Sequence, residues 1–241
     1  MENILEIPKH GDETSSPLVG ELFQAGAHIA YSRSRRHPSV EKYLFGKKNN
    51  LDIFDLTKTE HLLVQAETYM RSLGALGKTV LFVGTKPEAR EAVAAAGETL
   101  TMPAISRRWI GGLLTNFEGI KKRIEVLKRL RDEKESGGFE KYAKKEAGVM
   151  SKKLADLVKN FGGVETLTKL PDTLFVVDSR KESIAVAEAE KTGVPVIGIL
   201  GSDCDMTKVT YPILANDASA KSISYIVGRL TKAYSEGKEK G

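Results

Sequence analysis

The chain reads as an α/β protein with a parallel sheet, helices on both of its faces and an antiparallel helical hairpin inserted into it. Three patterns carry that expectation. Short apolar runs at 79–83, 174–177 and 194–200 alternate with amphipathic segments, the rhythm of parallel strands joined by crossover helices. Two stretches in 117–161 repeat apolar residues at three- and four-residue steps, first Phe117, Ile120, Ile124 and Leu127, then Met150, Leu154, Leu157 and Phe161. Gly137-Gly138 separates them, so two helices with one narrow seam fold back on each other. The length, 241 residues, suits one large domain or one domain with an insertion.

Along the chain, residues 1–17 are polar, interrupted by Pro8 and Pro17, and read as a flexible arm. A short helix covers 18–27, and 33–50 is a basic loop region without a sustained period. Leu62, Leu63, Ala66, Tyr69, Met70 and Leu73 mark a helix over 59–76. Strand 79–83 turns at Gly84 into a helix over 87–96 that starts on a proline. After the hairpin, strand 174–177 ends in Asp178, and helix 182–191 closes at Gly193. Strand 194–200 precedes a last helix, capped by Ser219 or Asp217, that carries Ile223, Ile226, Val227 and Leu230. The implied organisation is a flavodoxin/Rossmann-like core over 18–116 and 162–235, the hairpin at 117–161 and a flexible tail at 236–241.

Charge is segregated along this chain. The net charge is +5. Residues 31–50 hold six Lys and Arg against one acid, and 115–161 hold thirteen against eight. Residues 51–114 balance at seven each, and the N-terminal 30 residues are acidic. Clustered cations are what a polyanion requires, because counterions are released where phosphates meet grouped positive charge. The plainer reading, solvated flanks of a coiled coil, suits most of the hairpin lysines. Cys204 is the only cysteine, which excludes an internal disulfide and a cysteine-based zinc cage. No run approaches the apolar length of a membrane span, and the N-terminus does not read as a secretory signal. A cytoplasmic setting is the simplest expectation.

Catalytic patterns are weak. Gly74-Ala-Leu-Gly77-Lys78-Thr79 ends like a phosphate-binding loop, but its first glycine is misplaced. It also lies between a helix and a strand, the reverse of what places amides at phosphates. Asp178 at a strand end could serve catalysis, or it could simply cap the next helix. The four histidines form no metal-ligand pair, and no nucleophile elbow is present. An enzyme remains the second reading, and a protein-interaction module the third.

The most distinctive stretch is Arg107-Arg108-Trp109-Ile110-Gly111-Gly112-Leu113-Leu114-Thr115-Asn116-Phe117. It contains the only tryptophan, two arginines that can fork onto phosphates, and paired glycines that let backbone approach a neighbour. Trp109, Gly111 and Gly112 read as a structural anchor where the hairpin leaves the sheet, and the arginines as an outward contact.

This stretch closely resembles the signature of the bacterial small-subunit ribosomal protein S-two family. Further matches fall in the family's order: Gly26-Ala27-His28, Lys42 to Gly46, Ile53 to Thr59, Leu81 to Lys86, Leu170-Pro171-Asp172, Phe175 to Asp178, and Asn216-Asp217. Together they span roughly 18–235. The resemblance implies a structural, non-catalytic constituent of the small ribosomal subunit. It would bind small-subunit ribosomal RNA and help recruit the OB-fold ribosomal protein S-one, beside other subunit proteins. No cofactor, small-molecule substrate or membrane is expected. Candidate RNA contacts are Arg33, Arg35, Arg36, His37, Lys47, Lys48, Arg107, Arg108, Thr115, Asn116, Lys121 and Lys122. The chain departs from the family at Ile29-Ala30-Tyr31, at Gly201 to Asp205 and at Ala218. His28, Asp203 and Asp205 are what survives of a metal-ligand set, too few to expect a metal.

Overall fold

A computed structural model describes residues 16–241. All but the end of the expected arm, with His10, lies outside the described residues. Pro17 already belongs to the first helix, α1 (Pro17–Gln24), whose N-cap Ser16 accepts from the Leu18 amide. Then come β1 (Ile29–Ser32), β2 (Leu44–Lys48), β3 (Leu51–Phe54), α2 (Leu56–Ala75), β4 (Val80–Val83), α3 (Pro87–Leu100) and β5 (Ala104–Ile105). The chain continues through α4 (Phe117–Glu135), α5 (Lys144–Phe161), β6 (Thr173–Val177), α6 (Ser183–Thr192), β7 (Val196–Leu200), β8 (Tyr211–Leu214) and α7 (Ala220–Lys238).

Five strands form a parallel sheet in the order β5-β4-β6-β7-β8, the flavodoxin-like arrangement. The alternation of each strand divides the apolar side chains between two cores. Val80, Phe82, Phe175, Val177, Ile197 and Ile199 face α1, α2, α3 and α7. Leu81, Val83, Leu174, Val176, Val196 and Leu200 face α6, the loop around Trp109, and parts of α4 and α5. Both faces are thus covered, which is why these strands read as continuous apolar runs. On the first face α2 and α7 touch closely. A Cβ on Gly74 would lie 2.1 Å from the Tyr234 carbonyl oxygen, and one on Gly237 2.1 Å from that of Arg71.

Helix α4 contributes Ile120, Ile124 and Leu127 to the second core, and α5 contributes Phe161. Their other portions, through Leu130 and Leu154, meet Phe139 of the connecting turn in a separate cluster.

Several elements differ from the sequence reading. The 33–50 region is not a plain loop. It holds β2 and two short 3-10 turns, and β1-β3-β2 form a small antiparallel sheet. Asn49 and Asn50 both take positive φ, 48° and 63°, as a two-residue hairpin with the strand twist requires. A register shift between Leu44 and Gly46 breaks the alternation, so no period was visible. Strand β8 contains Pro212, which removes a donor and argues against a central strand. It is tolerated because β8 lies at the sheet edge. Ser219, not Asp217, caps α7. Helix α7 runs to Lys238, three residues into the segment read as a tail.

Candidate nucleic-acid interface

From β4 the chain runs through α3 to β5 on one side, and from β5 it returns through α4 and α5 to β6 on the other side of β4. The switch point of the sheet therefore lies at the carboxyl ends of β4 and β6, where such sheets place their polar residues. Lys86 follows β4 and Asp178 follows β6. The Lys86 Nζ lies 2.8 Å from Asp178 Oδ2 and 2.8 Å from Asp217 Oδ2. It also donates toward the Asp217 carbonyl at 3.1 Å and the Tyr31 hydroxyl at 3.2 Å. Burial opposes the Lys86 charge, but the two carboxylates overcome it and raise its pKa, so the ammonium stays protonated. Burial also works to raise the Asp178 carboxyl. The Lys86 hydrogen bond and the Lys181 amide outweigh it, and the net shift is downward. Asp217, more deeply buried and near two other acids, is pushed up to about 6 despite Lys86.

Asp178 also accepts from the Arg180 and Lys181 amides at 3.1 and 3.0 Å. It takes φ 68° to do so, which settles it as the cap of the turn before α6.

Of the weak metal candidates, Asp203 and Asp205 are engaged elsewhere, while the buried His28 Nδ1 has no hydrogen-bond partner among the described residues. His28 stacks on Phe23 at 4.4 Å. Asp205 caps a short turn by accepting from the Thr207 amide. Asp203 accepts from two arginines. Among the described residues, Asp178, Cys204 and Asp217 do gather their ligand atoms within 4.8 Å. The Lys86 ammonium already bridges the two acids, and burial pushes the Cys204 thiol up to about 12, so it is protonated at neutral pH.

The signature loop wraps a single carboxylate. Glu188, on the core side of α6, accepts from Trp109 Nε1 at 3.0 Å and from the Gly112, Leu114 and Thr115 amides at 2.8, 3.0 and 3.2 Å. The Thr115 hydroxyl adds a fifth bond at 3.2 Å. Burial works to raise the Glu188 pKa, but these donors outweigh it and hold it below the usual carboxylate range. Gly112 sits at φ 86°, a conformation that favours glycine, and this aims its amide inward. Gly111 is exposed with open space around it, so only one of the paired glycines is needed for this geometry. Sequence reasoning missed Glu188. The available signal was an acid three residues after Ala185, on the apolar face of its helix.

With the loop held this way, Trp109 is buried while Arg107 and Arg108 are exposed. Neither arginine has an ion pair among the described residues, and both emerge just beyond the carboxyl end of β5. Thr115 is turned onto Glu188, and the Asn116 amide lies over Gly119. Thr115 thus helps fix the start of α4, whereas the exposed Asn116 side chain makes no capping hydrogen bond there. Lys121 is half-buried and Lys122 exposed on that helix. Lys47 and Lys48 are exposed on the hairpin of the small sheet.

The 33–37 cluster divides in function. Arg33 is exposed. Arg35 reaches Asp203 at 3.0 Å and stacks over Tyr31 at 4.3 Å. Arg36 is consumed internally. Its Nε and Nη2 grip both oxygens of buried Asp52 at 2.8 and 2.9 Å, and Nη1 reaches Glu41. The His37 ring caps the next turn through Ser39, and its amide donates to the Ser202 carbonyl at 2.8 Å. Arg36→Ala is therefore expected to act as a stability lesion of about 2 kcal/mol, by leaving Asp52 uncompensated. Urea unfolding checks this, with the midpoint falling and the slope unchanged.

Comparisons with known proteins bear on this arrangement. The family model described as "Ribosomal protein S2" matches residues 22–237. A small ribosomal subunit protein uS2 of Dehalococcoides mccartyi is 41% identical over 218 residues, covering 90% of this chain and 89% of that protein. The protein of the same name from Dictyoglomus thermophilum is 39% identical over 222 residues, covering 92% and 90%. The match spans the parallel sheet, the loop around Glu188 and the helices on both faces, and by it the chain belongs to the ribosomal protein S2 family.

Proposed function

We propose that this protein binds small-subunit ribosomal RNA through the carboxyl end of its parallel sheet, and that it also helps seat the OB-fold ribosomal protein S-one. The family is one of structural small-subunit ribosomal proteins, not of enzymes. The observation that carries the RNA reading is the contrast between spent and free cations. Lys86 and Arg36 are locked onto buried acids. Arg33, Arg107 and Arg108 are exposed and without ion pairs among the described residues, on loops that are themselves held in place. Rigidly mounted guanidinium groups suit phosphate contacts, which position an RNA without reading its sequence.

In the same reading the hairpin over 117–161 projects from the core of 18–116 and 162–235. Its antiparallel helices add reach toward the subunit, supported by the self-contained Leu130, Phe139 and Leu154 cluster. Among the described residues no helix is long and apolar enough to cross a membrane.

Co-sedimentation with small subunits across a salt series tests the reading. Arg107→Ala with Arg108→Ala should flatten the dependence of log K on log salt by roughly 1.5, as expected for two lost phosphate contacts. An unchanged slope with full occupancy would remove these arginines from the interface. Arg33→Ala with Arg35→Ala should weaken binding more than Lys128→Ala with Arg129→Ala. The reverse order would move the interface to the hairpin.

A further inference from the structure

We infer that Arg35 and Arg180 form a preset two-arginine clamp for one backbone phosphate of the subunit RNA, a deepening that rests on the RNA-binding reading above. Arg35 Nη2 and Arg180 Nη1 converge on the same oxygen of Asp203, at 3.0 and 2.9 Å. Those two nitrogens therefore lie no farther apart than the two distances laid end to end, about 6 Å. The Asp203 side chain is only 4% exposed, whereas those of Arg35 and Arg180 are 53% and 61% exposed. A buried carboxylate thus holds two guanidinium groups that still face solvent.

The arginines come from distant parts of the chain, one after β1 and one after β6. An ordinary surface ion pair needs one cation, and here one acid carries two. With Lys86, Asp178 and Asp217 counted, the cluster is neutral, and the exposed Lys181 and Arg33 beside the pair add positive charge at its surface. Each guanidinium has five N–H donors. Arg35 spends one nitrogen on Asp203 and lays its face on Tyr31. Arg180 spends one nitrogen on Asp203. Donors remain on both, and a phosphodiester offers two non-bridging oxygens, one for each arginine. Because Asp203 and Tyr31 have already ordered these side chains, little rotamer entropy remains to be lost on binding. Arg180 stood outside the basic segments picked out in the sequence. Only the fold brings it to Arg35.

The test is a double-mutant cycle on binding to small subunits stripped of this protein, at salt concentrations from roughly 50 to 200 mM. The variants are Arg35→Gln, Arg180→Gln and both together. If one phosphate is clamped, each single variant loses roughly five- to tenfold in affinity. The double variant then loses little more than the worse single, because contacts sharing one partner are not additive. Losses that multiply would assign the arginines to separate phosphates and overturn the clamp. Single variants that bind like the wild type would overturn it too. Wild-type protein that fails to bind, or binds without salt dependence, would instead overturn the RNA reading itself. Should the double variant melt early, all four proteins are compared at a temperature below its melting point, so that the cycle still decides.

Discussion

Glu188→Ala is expected to be among the most damaging single changes outside the apolar cores, costing about 3–5 kcal/mol of stability. It leaves the Trp109 indole N–H and the Gly112, Leu114 and Thr115 amides without their acceptor. Trp109, Leu113 and Leu114 belong to the core on that face of the sheet, so the loop cannot swing free without opening it. The damage should extend to binding, because the same loop mounts Arg107 and Arg108. Glu188→Gln should cost less, about 2–3 kcal/mol, since one amide oxygen can still accept while its NH₂ faces other donors.

The pH dependence separates charge from packing. The Glu188 pKa is depressed in the folded protein. Its contribution is complete above the ordinary glutamate value and is lost as pH falls through the lowered one. Wild-type stability should therefore drop more steeply than that of Glu188→Gln below about pH 4.5. Parallel curves for the two proteins would show that the carboxylate charge is not what holds the loop.

Lys86→Met should cost a similar amount, about 3–5 kcal/mol near neutral pH, because it strands two buried carboxylates. In the wild type Lys86 bridges Asp178 and Asp217 and remains charged. Without it, burial and mutual repulsion raise both acids above their unfolded values. A raised acid favours the folded state while protonated, and loses that advantage as pH climbs through its folded pKa. Asp217 is already at about 6 with the ammonium beside it. The deficit of Lys86→Met should thus be larger at pH 7.5 than at pH 5, in paired urea titrations. An equal deficit at both would mean that the lost contacts of the lysine stem, not its charge, dominate.

Much of the fold was legible because its signals are local. The runs around Phe82, Phe175 and Ile199 are apolar on both alternating faces, and only a strand buried on both sides needs that. The cap at Ser219 and the C-cap at Gly193 are likewise local. The strands β1 and β3 were not read from the sequence, and among the other missed elements the sequence contradicts the place. β8 carries a proline that only an edge tolerates, β5 has two residues, and β2 is bulged. The binding residues were half legible. Clusters of arginine were visible at 33–36 and 107–108, but their partners were not. Arg36 and Arg33 look alike in the chain, and one is locked on Asp52 while the other faces water.

The sequence by itself determined the class of fold, the two helices of the 117–161 region and the family, because periodicity, capping and the tryptophan-glycine signature are written in neighbouring residues. The tertiary structure alone decided which charges are free. Glu188 meets Trp109 across 79 positions, Arg180 reaches Asp203 across 23 and Arg35 across 168. A charge is spent or available according to what burial and distance place beside it, and only the folded chain sets those.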